Sequence, residues 1–349
     1  MTANEGQEPM SRTLDESALL GQVLSGRYQL LRLLGKGGMG TVWKARHLQL
    51  GTDVAVKLVE PRPDNREDTH ARFVREARAA ASIQSRNIVR VTDFGKDGDQ
   101  LYLVMEYLEG ETLAARLDRV GTLTPHQTVE VLAGVARALE KAHRAHIVHR
   151  DLKPENIFIS TTEEDEVAKI LDFGVAHIQA APDTTSITMA GAMVGTPYYM
   201  SPEQVRGERA ITPRSDVWAF SIIAYECLVG QRPFEADTLG AAFVAICTQP
   251  FPRPSSLRAV PIGFDEWFER GTARSEEDRF QTVSEAIAEL QAVCLNSDVS
   301  EQRPLPPESA NYGAVGSITD REHPAAWKRL LPFALFITFV VLAYLLAPR

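Results

Sequence analysis

What the sequence lacks narrows it first. Its three cysteines, Cys227, Cys247 and Cys294, are far apart and form no CxxC pair, so neither a disulfide framework nor a zinc site is indicated, and a reducing cytoplasm is the natural setting. Cationic excess is also missing: the formal net charge is −9, and no basic stretch is long enough to follow a phosphate backbone, which excludes nucleic acid as the expected partner. The opening MTANEGQEPMSRTLDES holds no apolar run of signal-peptide length. Residues 1–26 are therefore expected to be a polar, disordered leader.

Of the 349 residues, 44% are hydrophobic, enough for one large domain of roughly 260 residues with tails. Beyond Cys294 the composition shifts to proline and polar residues, including PLPPES, so residues 295–329 read as a flexible juxtamembrane linker. Leu330 to Ala347, LLPFALFITFVVLAYLLA, is eighteen residues without a charge. As a helix rising ~1.5 Å per residue it spans about 27 Å, close to the ~30 Å hydrocarbon core of a bilayer. Pro332 falls in the first turn, where a missing N–H is tolerated, and Trp327 and Tyr344 sit at interfacial depth. A buried helix of the soluble domain is the competing reading; the lack of an amphipathic face counts against it. The expectation is one transmembrane helix over 330–347. Arg321, Lys328 and Arg329 precede it, so the positive-inside bias keeps the bulk of the chain cytoplasmic and sends the C-terminus to the far face.

The densest polar chemistry lies in HRDLKPEN, His149 to Asn156. Asp and Asn are common in turns because their side chains bond the local backbone. Here an apolar-periodic helix, about Pro125 to His146, delivers the chain into the stretch and the apolar run Ile157, Phe158, Ile159 leads away. A loop held between packed elements is where catalytic groups are usually mounted. His143, His146 and His149 recur every three residues, but no further ligand or placed acid accompanies them, which argues against a metal site.

Tyr28 to Gly35 alternates as a strand and runs into GKGGMG and then TVWKARH. A dinucleotide-binding turn competes here, since Glu60 lies near the expected ~20 residues beyond Gly40. Such a turn needs a helix directly after the glycines, whereas TVWKARH is β-branched, aromatic and without helical apolar spacing. A hairpin lid follows, with Gly35, Gly37 and Gly40 allowing close backbone approach to phosphates. Asp53 to Leu58 is a buried strand carrying one lysine, Lys57. Phe73, Ala80 and Ile83 recur at helical spacing and put Glu76 on their apolar face. A buried carboxylate that loses its partner costs about 3–5 kcal/mol, so Lys57 is its expected partner. DFG occurs twice, at Asp93 to Gly95 and at Asp172 to Gly174. The second follows the strand Ala168 to Leu171, a short distance after HRDLKPEN. The first reads as a turn ahead of the apolar strand Leu101 to Leu108.

His-Arg-Asp-Leu with an Asn five residues after the Asp, the glycine lid, VMEYLEG, the second DFG and GTPYYMSPE together resemble the protein-kinase superfamily, and within it the bacterial eukaryotic-like serine/threonine type, over residues 27–294. The resemblance implies an α+β, two-lobed protein-kinase fold: a small β-rich N-lobe with one key helix (27–108) and a larger helical C-lobe (109–294), followed by the transmembrane helix. It implies ATP and Mg²⁺, or Mn²⁺ in its place, as cofactors. Asp151 would accept the proton of the acceptor hydroxyl, Lys153 would steady the transferred phosphoryl, and Lys57, held by Glu76, would contact the phosphates. Asn156 and Asp172 would hold the metal. The lid residues Leu34, Gly35, Lys36, Gly37, Gly38, Met39, Gly40, Thr41 and Val42 would cover the phosphates. Val42, Ala55 and Phe158 would sandwich adenine, with Met105 at the gatekeeper position and the Glu106 and Leu108 backbones facing the base. His149 would brace the loop and Asp216 would hold it from below. Glu203 would pair with Arg279, and Ser221 stands where the family often has glycine. Thr184, Thr185, Ser186 and Thr188, with Arg150 as a phosphate partner, suggest an autophosphorylated activation segment. The implied partners are protein substrates with Ser or Thr, a second copy of the chain, and a membrane. A pseudokinase or signalling scaffold that binds nucleotide is the alternative, and the presence of Lys57, Asp151, Asn156 and Asp172 counts against it.

Overall fold

Alternation along the first strands sets the smaller lobe. In β2 (Tyr28–Gly37), Tyr28 and Leu30 are buried and Leu31 is exposed; in β3 (Gly40–His47), Thr41, Trp43 and Ala45 are buried and alternate with half-buried neighbours. β4 (Thr52–Val59) is buried on both faces from Val54 onward, as a central strand must be. With β1 (Val23–Leu24), β5 (Val91–Asp97) and β6 (Gln100–Glu106), these form a six-stranded antiparallel sheet in the order β1-β2-β3-β4-β6-β5. The computed structural model describes residues 19–37, 40–59, 73–75, 77–78, 81–162, 165–172, 197–208, 210–236 and 238–296, all within one compact unit, Met1–Leu305. Leu30, Trp43, Val56 and Tyr102 fill the core on one side of the sheet. Ala55, Val59, Leu103 and Met105 pack on the other against Phe73 and Ala77, which belong to the described helical residues 73–75, 77 and 78.

The first DFG is not a turn. Asp93, Phe94 and Gly95 lie in β5, paired with Val104, Leu103 and Tyr102 of β6. Asp93 takes the Tyr28 hydroxyl at 2.7 Å and Arg27 at 2.9 Å, and a Cβ on Gly95 would stand 2.5 Å from the Tyr102 hydroxyl. The glycine makes room for a ring from the neighbouring strand.

The larger lobe is helical. β7 (Gly110–Thr112) leads into α1 (Leu113–Val120) and α2 (Pro125–Arg144). α2 opens on a Thr124/Gln127 capping box with Pro125 in its first turn, satisfying end N–H groups that no intrahelical carbonyl reaches. After a 3-10 turn at Pro154–Asn156 come β8 (Ile157–Thr161) and β9 (Glu166–Ile170), which join β7 in a three-stranded sheet. α3 (Pro202–Val205), α4 (Pro213–Val229), α5 (Leu239–Thr248), α6 (Pro254–Leu257), α7 (Phe264–Gly271) and α8 (Val283–Asn296) complete it. α4 is buried almost all round, the mark of a helix through the core. Ser221 on it donates to the Val217 carbonyl at 2.8 Å, and a Cβ on Gly271 would stand 2.2 Å from its Oγ. The departure from glycine at 221 is thus matched by a glycine at 271.

The lobes meet along residues 87–90. Val89 donates to the Ile170 carbonyl and Ile170 to the Asn87 carbonyl, both at 2.9 Å, while the Asn87 amide donates to the Ala168 carbonyl at 2.9 Å. Among the described residues no helix is long and apolar enough to cross a membrane; the expected span, 330–347, lies outside them.

Candidate active site

The catalytic stretch leaves α2 through two residues in the left-handed region, His146 at φ 59° and Arg150 at φ 66°. Non-glycine residues rarely sit there, and surrounding contacts must hold them. At Arg150 the holder is Asp216, from the first turn of α4. Its carboxylate accepts the N–H groups of His149 and Arg150, each at 2.9 Å. His143 Nε2 lies 2.7 Å from the same carboxylate; a carboxylate only accepts, so the ring carries its hydrogen on that nitrogen. The sequence supplied Asp216 as the brace but not His143. The signal was present in the three-residue histidine repeat: His143 lies on the face of α2 that meets α4, and His149 beyond the helix end. His149 is 1% exposed, and its Nδ1 accepts the Asp151 N–H at 3.3 Å. Burial pushes its pKa down against the pull of Asp216, Asp151 and Asp172, which favours a neutral ring.

Asp151, Lys153 and Asn156 converge as expected. Lys153 Nζ lies 2.8 and 3.0 Å from the two carboxylate oxygens of Asp151. The Asn156 amide donates to the Asp151 carbonyl at 2.8 Å and to its carboxylate at 3.1 Å. The Asp151 side chain is 36% exposed, so a substrate hydroxyl can reach it. The Asn156 backbone carbonyl accepts the Leu171 N–H at 2.9 Å, which ties this loop to the residues entering Asp172.

Lys57, 6% exposed, donates to both carboxylate oxygens of Asp172 at 2.9 and 3.0 Å. Burial would push the Asp172 carboxyl up, but Lys57, with His149 and Lys153 adding their fields, holds it below its ordinary value. Glu76, the expected partner of Lys57, lies outside the described residues, as do Gly38, Met39, Phe173, Gly174 and the hydroxyls Thr184, Thr185, Ser186 and Thr188.

Strand register gathers the expected adenine residues. Val42 pairs with Lys57, and Ala55 with Met105. Ala55, Lys57 and Val59 share one face of β4 because strand side chains alternate. Val42, Leu108 and Leu171 pack against the cluster that holds Ala55 and Met105; Leu171 was not picked out from the sequence. Phe158 comes from the other lobe, and its ring borders Gly110. Within the lid, Gly35 pairs with Val42, Lys36 with Thr41 and Gly37 with Gly40; Leu34 is 40% exposed. The glycines differ in cause. A Cβ on Gly35 or Gly37 would meet open space, while one on Gly40, at φ 130°, would stand 1.9 Å from the Leu58 carbonyl oxygen. Gly40 is thus demanded by the sheet itself. Glu106 contributes more than backbone, since its carboxylate accepts the Arg90 N–H at 2.8 Å and Lys169 Nζ at 2.7 Å.

Glu203 and Arg279 pair as expected, with two contacts of 2.8 Å. A cavity of about 490 Å³ bounded by Arg116, Gln127, Glu130 and Glu166 includes none of the candidate residues.

Residues 28–310 match the family described as protein kinase domain. The chain is 39% identical over 274 residues to the serine/threonine-protein kinase PknE of Mycobacterium bovis, covering 78% of this chain and 47% of that one. It is 40% identical over 308 residues to PknL of Mycobacterium tuberculosis, covering 88% and 74%. The chain thus spans about half the length of its PknE relative. A crystal structure of the Mycobacterium tuberculosis PknI kinase domain superposes with a TM-score of 0.61 at 25% identity, covering 78% of this chain and 98% of that one.

Proposed function

Because the chain belongs to the protein kinase family, we propose that it transfers the γ-phosphoryl group of ATP to serine and threonine hydroxyls of proteins. The observation that carries this reading is the convergence of Asp151, Lys153 and Asn156 in one loop, tied through Asn156 and Leu171 to Asp172, which Lys57 meets from the other lobe. Phosphoryl transfer asks a protein mainly for positioning and charge neutralisation. Asp151 orients the acceptor hydroxyl and takes its proton; Lys153 faces the charge that develops on the transferred group. Lys57 draws the α- and β-phosphates toward the sheet. The Asn156 side-chain amide oxygen and the Asp172 carboxylate are hard oxygen donors, a set that suits Mg²⁺. When bound, that cation would neutralise phosphate charge. Val42, Ala55, Met105, Leu108 and Phe158 would grip the adenine.

The activation segment and the membrane span belong to the same proposal. The first is supported by the hydroxyl tract Thr184, Thr185, Ser186 and Thr188, the second by the uncharged run 330–347. In the full chain with Mg-ATP, labelling of itself or of a basic protein substrate is expected, with phosphopeptides mapping to 184–188. Asp151→Asn is expected to lower the rate by about 10²–10⁴-fold, the usual contribution of a placed general base. Equal labelling by both proteins would overturn the assignment.

A further inference from the structure

Lys169 and Asp172 stand three residues apart on the stretch that runs from β9 into the candidate metal site. Each is tied to the other lobe by an ion pair, and the two pairs have opposite polarity. Asp172 takes Lys57 from β4, while Lys169 reaches Glu106 at the end of β6, 2.7 Å away. β4 and β6 are neighbours in the sheet, and Ala55 lies opposite Met105, the residue before Glu106.

The second pair is built to hold a position. Its side chains are 15% and 22% exposed, so solvent screens them less than a surface pair. The Glu106 oxygen that meets Lys169 is already fixed by the Arg90 N–H at 2.8 Å. Arg90 in turn accepts the Glu106 N–H at 3.0 Å, and the adjoining residues 87–89 hydrogen-bond to β9. The carboxylate is therefore pre-aimed. On the other side, Lys169 is the register partner of Phe158, and directly opposed residues of an antiparallel pair present their side chains on the same face, about 4.5–5.5 Å apart. Lys169 thus pulls toward β6 the same face of the β8–β9 hairpin that carries Phe158.

We propose that Lys169 and Glu106 are positioning residues for nucleotide binding, an interlobe latch that sets the separation between Phe158 and the register partners Ala55 and Met105 of the sheet. The latch rests on the kinase reading above, because the gap it sets is the one expected to take adenine. Loosening it widens that gap, and the nucleotide is gripped less well. The proton-accepting loop is braced separately by Asp216, so turnover at saturating nucleotide changes little.

The test uses the full chain, with steady-state kinetics and direct titration of a fluorescent ATP analogue. Lys169→Gln and Glu106→Gln are each expected to raise the KM for ATP and the analogue Kd about 5–10-fold, with kcat and the KM for protein substrate within about 2-fold, the scale of one half-buried ion pair. The double variant is expected to be no worse than the weaker single, because both remove one contact, and Lys169→Arg to restore tight binding. Unchanged nucleotide affinity in both single variants overturns the latch. So do losses that add in the double variant, or a loss of kcat and melting temperature without a change in Kd. A wild-type chain that binds the analogue but labels no protein overturns the kinase reading instead, and the Kd comparison still tests the latch.

Discussion

Glu203 sits where both its own side chain and that of Arg279 are almost wholly buried, at 2% and 0% exposure. Burial alone would push its carboxyl up; two contacts to Arg279 and the Ser215 hydroxyl at 2.5 Å outweigh it and hold the pKa at about 2. A folded-state pKa below the unfolded value contributes stability that is present above the ordinary carboxylate pKa and is lost as pH falls toward 2. Wild-type stability, followed by chemical denaturation, is expected to fall between about pH 5 and pH 2. Glu203→Gln is expected to cost about 3–5 kcal/mol at pH 7, since it strands a buried cation, and to flatten that pH dependence. An unaltered slope would show that the pair does not carry it. At this scale the identity of a side chain was readable and its partner often was not: His143 stood in plain view, but its contact with Asp216 crosses 73 positions of sequence.

Between elements, complementarity of size decides the fit. α4 and α7 approach so closely that Ser221 fills the space a Cβ on Gly271 would need. Gly271→Ala is expected to destabilise by about 1–3 kcal/mol, the usual cost of overpacking. Adding Ser221→Gly is expected to return part of that loss despite glycine's ~1 kcal/mol penalty inside a helix. Thermal melts of the three variants decide it, and a double variant less stable than Gly271→Ala would refute the match. Most strands and helices followed from local pattern, because alternation and helical spacing are near-neighbour properties. The first DFG shows the limit. Its glycine reads locally as a turn, yet it exists to admit the ring of Tyr102 from the next strand.

At the scale of the molecule, the six-stranded sheet and the helical lobe are joined by residues 87–90 and by the pairs Lys57–Asp172 and Lys169–Glu106. The candidate chemistry lies at that junction, so the proposed activity would depend on the spacing between lobes. The proposed membrane anchor is independent of it. Deleting residues 328–349 is expected to move the protein from the membrane to the soluble fraction on cell fractionation while leaving labelling by the isolated enzyme intact. An unchanged distribution would count against the anchor.

The sequence by itself determined which residues are candidates for the chemistry and in what order, because HRDLKPEN, the glycine lid and the second DFG are fixed by spacing along the chain. Tertiary structure decided how they engage. Lys57 meets Asp172 across 115 positions, Gly40 is required by a carbonyl of the neighbouring strand, and Lys169 finds Glu106 because residues 87–89 hold β9 beside the Arg90–Glu106 contact. Those choices depend on distances between charges and on the space left by neighbouring elements, and both arise only when the sheet and the helices are packed together.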